Sequence, residues 1–262
     1  MDAAKLTIPQ IRQRLEAAEF SLEELTSLEQ DSRASVIKLL QQWQKRQAKE
    51  REEMERLEAM FSYERKLKEA GCCLIAGMDE AGRGPLAGPL VVAAVILPQD
   101  CRLMMLNDSK KLSAQQRERL YDQVKEKAIA VSSIVIGIEM IDTLNIYQAT
   151  IQGMYQAVRA LKPQADGVLI DAVPLPDLTF PNESIIGGDA RSASIAAASI
   201  IAKVERDRLM LKADLQYPEY GFAKHKGYGT PEHMAAIREY GPCPIHRCSF
   251  EPVKSMLAKE GD

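Results

Sequence analysis

The chain has 262 residues, 46% hydrophobic and 27% charged, with a net charge of −3. That is the composition of a globular protein of one or two domains, long enough to bury a substantial core. It excludes a broadly basic DNA-coating protein while leaving room for a local basic groove. No apolar run reaches the roughly 20 residues that span a bilayer, and no apolar segment of a secretory signal opens the chain, so no membrane partner is expected. The five cysteines include no Cys-x-x-Cys pair, which fits a reduced, cytoplasmic compartment. Cys72, Cys73 and Cys101 lie in or beside apolar runs and read as small core residues.

Residues 1–70 are rich in Glu, Lys, Arg, Gln and Leu, with Pro9 the single glycine or proline break. Leu15, Phe20, Leu22, Leu25 and Leu28 give one helical pattern; Ile37, Leu39, Leu40 and Trp43 give another. Charges dominate 45–58, with Glu52 and Arg56 at an i,i+4 offset. This segment is expected to be a helical extension: a solvated surface helix, a small helical domain, a partner-binding arm or a nucleic-acid clamp. Gly71 marks the boundary to a second domain, 71–262.

Strand and helix signals then alternate. Cys72–Met78 and Leu90–Leu97 read as strands, and 113–130 as an amphipathic helix with Ser113 as its N-cap. Val131–Ile138 reads as a strand, and Met140–Leu161 as a helix ended by Lys162-Pro163. Gly167–Ile170 is a short buried strand stopping at Asp171, and Ser184–Ile186 another before Gly187-Gly188-Asp189. Ser192–Leu215 is a long helix whose alanines allow close packing, and a last helix is expected near Pro231–Tyr240. The connection between the first two strands is too short for a helix, so they are antiparallel, whereas later strands follow helices and can be parallel. The fold class is α/β, a mixed sheet flanked by helices with an all-helical N-terminal appendage.

The chemistry concentrates where the first strand ends, in Gly77-Met78-Asp79-Glu80-Ala81-Gly82-Arg83-Gly84-Pro85. Two adjacent carboxylates at a buried strand end are costly unless water or a cation compensates them. Asp171 ends a later strand, and ligand sites of open α/β sheets lie at such an edge. Asp189 follows two glycines that let it turn inward. Four acids from separate segments could thus gather around hard cations, Mg²⁺ or Mn²⁺, about 4 Å apart, suited to displacement at phosphorus. Taken singly, each acid also fits a helix cap or a solvated strand end.

The glycine turn departs from a dinucleotide fingerprint because a strand, not a helix, follows it. It offers exposed backbone groups and one guanidinium to a sugar or phosphate. The loops Asn107–Lys111 and Lys224–Gly229 add Lys110, Lys226 and an aromatic ring, Tyr228, a pairing suited to phosphate contact and stacking. Cys243, His246 and Cys248 are too few and too closely spaced for a structural zinc site.

Taken together, these strings resemble the bacterial ribonuclease HII family. The resemblance runs from about Leu74 to Leu257 and includes Met78–Pro85, Asn107–Ser113, Leu169-Ile170-Asp171, Gly188-Asp189, Ser194–Val204, Tyr220-Gly221-Phe222, His225–Thr230 and His246–Phe250. It implies a ribonuclease H-like fold and metal-dependent hydrolysis on the 5′ side of a ribonucleotide. The implied substrates are RNA–DNA hybrids and duplex DNA with embedded ribonucleotides, cut to 3′-hydroxyl and 5′-phosphate ends in the service of DNA replication and repair. By position, the resemblance assigns Asp79, Glu80, Asp171 and Asp189 to catalysis and metal binding, with two Mg²⁺ or Mn²⁺ ions when substrate is bound. Gly82, Arg83 and Gly84 would sense the ribose 2′-hydroxyl, and Tyr228 would stack on the following deoxyribose. Arg83 and Asp189 favour this family over its type III relatives. The expected state is a monomer, and the resemblance assigns the N-terminal helices no function.

Overall fold

A computed structural model describes residues 6–259. The chain forms two compact units that divide after Arg56. The division precedes Gly71 because Leu57, Met60, Phe61 and Leu67 are buried in the cores of the second unit.

The first unit holds α1 (Ile8–Glu16), α2 (Leu22–Glu29) and most of α3 (Ala34–Met60). Ser21 starts α2 as a reciprocal cap: its hydroxyl accepts the Glu24 N–H at 3.2 Å, and the Glu24 carboxylate accepts the Ser21 N–H at 3.0 Å. Ile11, Leu15, Leu28, Val36 and Leu40 form its small core, and the Trp43 indole N–H donates to the Leu15 carbonyl at 3.2 Å. The helical periodicity of the sequence is thus realised as separate capped helices with one apolar face each.

The second unit continues with α4 (Ser62–Glu69), β1 (Ile75–Ala81), β2 (Leu90–Ile96), α5 (Ala114–Lys127), β3 (Ala130–Ile136), α6 (Ile138–Leu144) and α7 (Ile146–Ala160). It is completed by β4 (Gly167–Asp171), β5 (Asn182–Ile185), α8 (Ala193–Gln216), α9 (Phe222–His225), α10 (Pro231–Tyr240) and α11 (Val253–Lys259). The sheet order is β3-β2-β1-β4-β5. β2 is antiparallel to β1 and β3, and β4 is parallel to β1 and β5. This is the mixed sheet flanked by helices that the sequence pattern implies.

β2 is buried along its whole length because both sheet faces are covered. Val91, Ala93 and Val95 pack toward the alanines of α8, while Leu90, Val92, Ala94 and Ile96 pack with Met154 and Val158 of α7. The fit of β1 against α8 is especially close. A methyl group on Gly77 would lie 2.0 Å from the backbone carbon of Ser194. Glycine on the strand and small residues on the helix therefore allow this approach, which fixes the helix over β1.

Some boundaries differ from the sequence reading. β1 starts later and runs on to Ala81, so Asp79 and Glu80 lie within the strand rather than beyond it. The single helix expected over 140–161 is two helices. Asn145 at φ 68° breaks it and its side chain caps α7, accepting the N–H groups of Tyr147 and Gln148. α11 follows the helix near Pro231–Tyr240 that the sequence pattern gives as the last. Cys73 is exposed rather than a core residue, while Cys72 and Cys101 are buried, and the five cysteines are all free thiols.

Candidate active site

The parallel register pairs Met78 with Ile170, which sets Asp79 and Asp171 side by side at the adjacent ends of β1 and β4. Asp189 arrives from the turn before α8. Gly187 there takes a left-handed φ of 65°, and the Gly188 N–H donates to Asp171 Oδ1 at 2.8 Å. Carboxylate oxygens of Asp79, Asp171 and Asp189 all lie within 4.8 Å of one another. Among the described residues, this is the one group of three or more such side chains whose donor atoms all lie that close to one another.

Glu80 lines the same cleft but stands outside that set. One of its oxygens accepts from Arg83 at 3.2 Å; the other is buried without a partner. Burial pushes the Glu80 carboxyl above its ordinary range, against the pull of Arg83. Asp79 is only 4% exposed. Burial first, then the charges of Glu80 and Asp171, hold its carboxyl well above the usual range, although hydrogen bonds from Ser199 and the Glu80 N–H oppose this. Asp189 is raised by burial and by Asp108 and Asp171, with Lys110 opposing. Lys110 Nζ stands 3.8 Å from Asp189 Oδ2.

Mutually repelling, desolvated carboxylates with one nearby ammonium are under-compensated. Their hard oxygen donors fit Mg²⁺ or Mn²⁺, which would restore charge balance. The orphaned buried oxygen of Glu80 is a further hard donor at the same rim.

Beside the acids opens a cleft of about 560 Å³, bounded by Glu80, Gly82–Gly84, Lys110 and Tyr228. The Tyr228 ring is 46% exposed, and the Cβ position of Gly84 lies 3.7 Å from its edge. The Tyr228 carbonyl accepts from the Thr230 N–H at 2.8 Å, and it pairs with His233 Nδ1 at 2.9 Å. Lys226 is not brought to the cleft: its ammonium turns back to the Ala223 carbonyl.

Sequence reasoning assigned no role to Ser109, Ser199, Lys203 or Arg117, which also line the cleft. Ser109 and Ser199 hydroxyls meet at 2.8 Å, and Lys203 pairs with Asp207 at 2.6 Å. The i,i+4 spacing of Ser199 and Lys203 on one helix face was the available signal. Arg117 left none, since only the tertiary fold brings α5 there. Of the Cys243, His246 and Cys248 trio, His246 Nδ1 lies 3.1 Å from Cys243 Sγ and its Nε2 lies 3.0 Å from His233 Nε2, while Cys248 is an exposed free thiol.

A mixed sheet with acids gathered at its edge beside a glycine-walled cleft defines a hydrolase of the ribonuclease H-like class. A solved ribonuclease H2 from Pyrococcus horikoshii OT3 superposes with a TM-score of 0.63 at 25% identity, covering 71% of this chain and 98% of that one. Ribonuclease HII in a complex with PCNA from Archaeoglobus fulgidus gives 0.60 at 26% identity, covering 68% and 96%. The ribonuclease HII of Enterococcus faecalis is 52% identical over 235 residues, 90% of this chain and 92% of that one. The ribonuclease HII family model matches residues 76–253, and the model of that family's N-terminal domain matches 7–68. The chain belongs to the ribonuclease HII family, and is an endonuclease of the ribonuclease H type.

Proposed function

We propose that this enzyme cuts the phosphodiester on the 5′ side of a ribonucleotide, both in RNA–DNA hybrids and at single ribonucleotides embedded in duplex DNA. The products are 3′-hydroxyl and 5′-phosphate ends, and the role is ribonucleotide removal during replication and repair in the cytoplasm. The observation that carries this reading is the meeting of Asp79, Asp171 and Asp189 beside the Gly82–Gly84 cleft. These three acids, with Glu80 at the rim, would hold divalent cations. Two Mg²⁺ or Mn²⁺ ions, when bound with substrate, supply Lewis-acid activation of water and charge stabilisation at the leaving 3′ oxygen.

The chain's own residues do the rest. The Gly82-Arg83-Gly84 turn presents backbone groups to the ribose, whose 2′-hydroxyl distinguishes RNA from DNA. The half-exposed Tyr228 ring stacks on the next deoxyribose. Lys110, beside Asp189, offers a cation to the strand's phosphate. Residues 1–70 act as a helical extension that clamps substrate or a protein partner, and 71–262 as the catalytic domain, in a monomeric enzyme. A PCNA-bound relative makes a sliding clamp a candidate partner.

The test is cleavage, with Mg²⁺ or Mn²⁺, of a duplex containing one ribonucleotide, set beside a continuous hybrid and an all-DNA duplex. One cut on the 5′ side of the ribonucleotide supports the reading. Cleavage of the hybrid alone removes the embedded-ribonucleotide activity.

A further inference from the structure

Two arginines lie inside the catalytic unit, Arg206 of α8 at 1% exposure and Arg247 at 0%. Buried guanidinium is costly unless its donors are satisfied. Among the described residues, its hydrogen bonds here go to backbone carbonyls, none to a carboxylate. Burial first, then the neighbouring Arg206 charge, lowers the Arg247 pKa to about 9 against the pull of Asp142, and burial lowers that of Arg206 against Asp207.

All the acceptors but one, the Lys226 carbonyl, fall on one short segment, 82–89. Arg247 donates to the carbonyls of Gly82 at 2.6 Å, Arg83 at 3.0 Å, and Gly88 at 2.8 and 3.0 Å. Arg206 donates to Ala87 at 3.2 Å, Pro89 at 2.9 Å, and Lys226 at 3.1 Å. The glycine at 82 is what admits Arg206: a Cβ there would lie 2.0 Å from Arg206 Nε, and its φ is +103°. Backbone bonds run alongside, from Leu86 N–H to the Gly227 carbonyl at 2.9 Å and from Arg247 N–H to the Leu86 carbonyl at 2.8 Å.

In a trans peptide the N–H points opposite to the carbonyl of the preceding residue, and the 82–83 and 83–84 bonds are trans. With the Gly82 and Arg83 oxygens held on Arg247, the N–H groups of Arg83 and Gly84 face away from it, on the segment that walls the cleft. Neither N–H has an acceptor within the protein among the described residues.

We propose that Arg247 and Arg206 are positioning residues for ribose selection. Arg247 turns the N–H groups of Arg83 and Gly84 toward the 2′-hydroxyl of a seated ribonucleotide. Arg206 ties the same segment to the Lys226 carbonyl, two residues before Tyr228, and so fixes the spacing between ribose sensor and stacking ring. The proposal rests on the reading of this cleft as the ribonucleotide site and adds the residues that hold it in shape.

Arg247→Lys and Arg206→Lys keep the charge but not the planar fork that spans several carbonyls. Affinity for a single-ribonucleotide duplex and for the same all-DNA duplex is measured by fluorescence anisotropy without divalent metal, with a thermal melt of each variant. The expected result is a preference for the ribonucleotide duplex that falls roughly tenfold in each variant, the size of one lost ligand hydrogen bond, while all-DNA affinity is unchanged. A folded variant that keeps the full wild-type preference overturns the proposal. If the wild type itself shows no preference, the ribonucleotide reading has failed instead. Should both variants fail to fold, hydrogen exchange on the wild type decides. The Arg83 and Gly84 amides must become protected by the ribonucleotide duplex and not by all-DNA, and equal protection by both refutes the proposal.

Discussion

Replacing Asp79 with asparagine should raise the stability of the metal-free enzyme while abolishing its activity. Asp79 is 4% exposed, with oxygens of Asp171 and Asp189 no more than 4.8 Å away. At that distance and an effective dielectric near 20, each ionised pair costs about 3.5 kcal/mol. Proton uptake by the cluster, and solvent at the half-buried Asp171, reduce the part that a neutral amide can recover. A gain of about 1–2 kcal/mol is therefore expected, or roughly 2–8 °C for a unit of this size. Asparagine keeps an oxygen for the Glu80 N–H, which Asp79 accepts at 2.7 Å, so the local backbone survives. The assay is thermal denaturation in EDTA at pH 8, repeated across a Mg²⁺ titration. The wild type should gain stability with Mg²⁺ and the variant should gain little. A variant that melts below wild type in EDTA, or that cleaves at near wild-type rate in saturating Mg²⁺, refutes the reasoning.

Gly77→Ala should destabilise the catalytic unit by about 3 kcal/mol or more, because the new methyl meets α8 backbone rather than a yielding side chain; urea unfolding measures it, and a loss below 1 kcal/mol would show that β1 and α8 can part cheaply. Tyr228→Ala should leave the urea midpoint nearly unchanged, since the ring is half exposed, yet weaken discrimination at the RNA–DNA junction; cleavage-site mapping on mixed duplexes checks this. Stability should fall on acidification between about pH 6.5 and 4. His233 is wholly buried, and burial lowers its folded pKa to about 4, so the unfolded chain takes up the proton first and the folded state loses ground as pH drops. The largest loss from this one group is ~3 kcal/mol, complete below the folded pKa. A His233→Gln variant should show a shallower slope in urea midpoints between pH 7 and 5, and an unaltered slope contradicts the assignment.

The sheet was legible because its strands carry short apolar runs between glycines, and because connection length separates antiparallel from parallel pairing. The meeting of Asp79 with Asp171 was legible only on the condition that their strands are parallel neighbours, a pairing the structure supplies. Other features were not legible. Asn145 breaks a continuous helical periodicity through a left-handed backbone and its own cap, neither of which disturbs the apolar pattern. Lys226 carries a charge that fits a site, but its ammonium is taken by the Ala223 carbonyl, whereas Glu80 lines the cleft with one oxygen on Arg83 and the other without a partner. The burial of Arg206 and Arg247 was not legible, since an arginine is read as a surface charge until its acceptors are seen.

In the proposed function, acids gathered at the sheet edge cut a duplex beside a ribose. End-mapping of products from a duplex with one ribonucleotide, in Mg²⁺, in EDTA and with Asp79→Asn, tests it most directly. A single metal-dependent cut 5′ to the ribonucleotide, leaving a 3′-hydroxyl, is expected, with no cut in EDTA or in the variant. Cleavage that persists in EDTA, or that falls equally on the all-DNA strand, would contradict it.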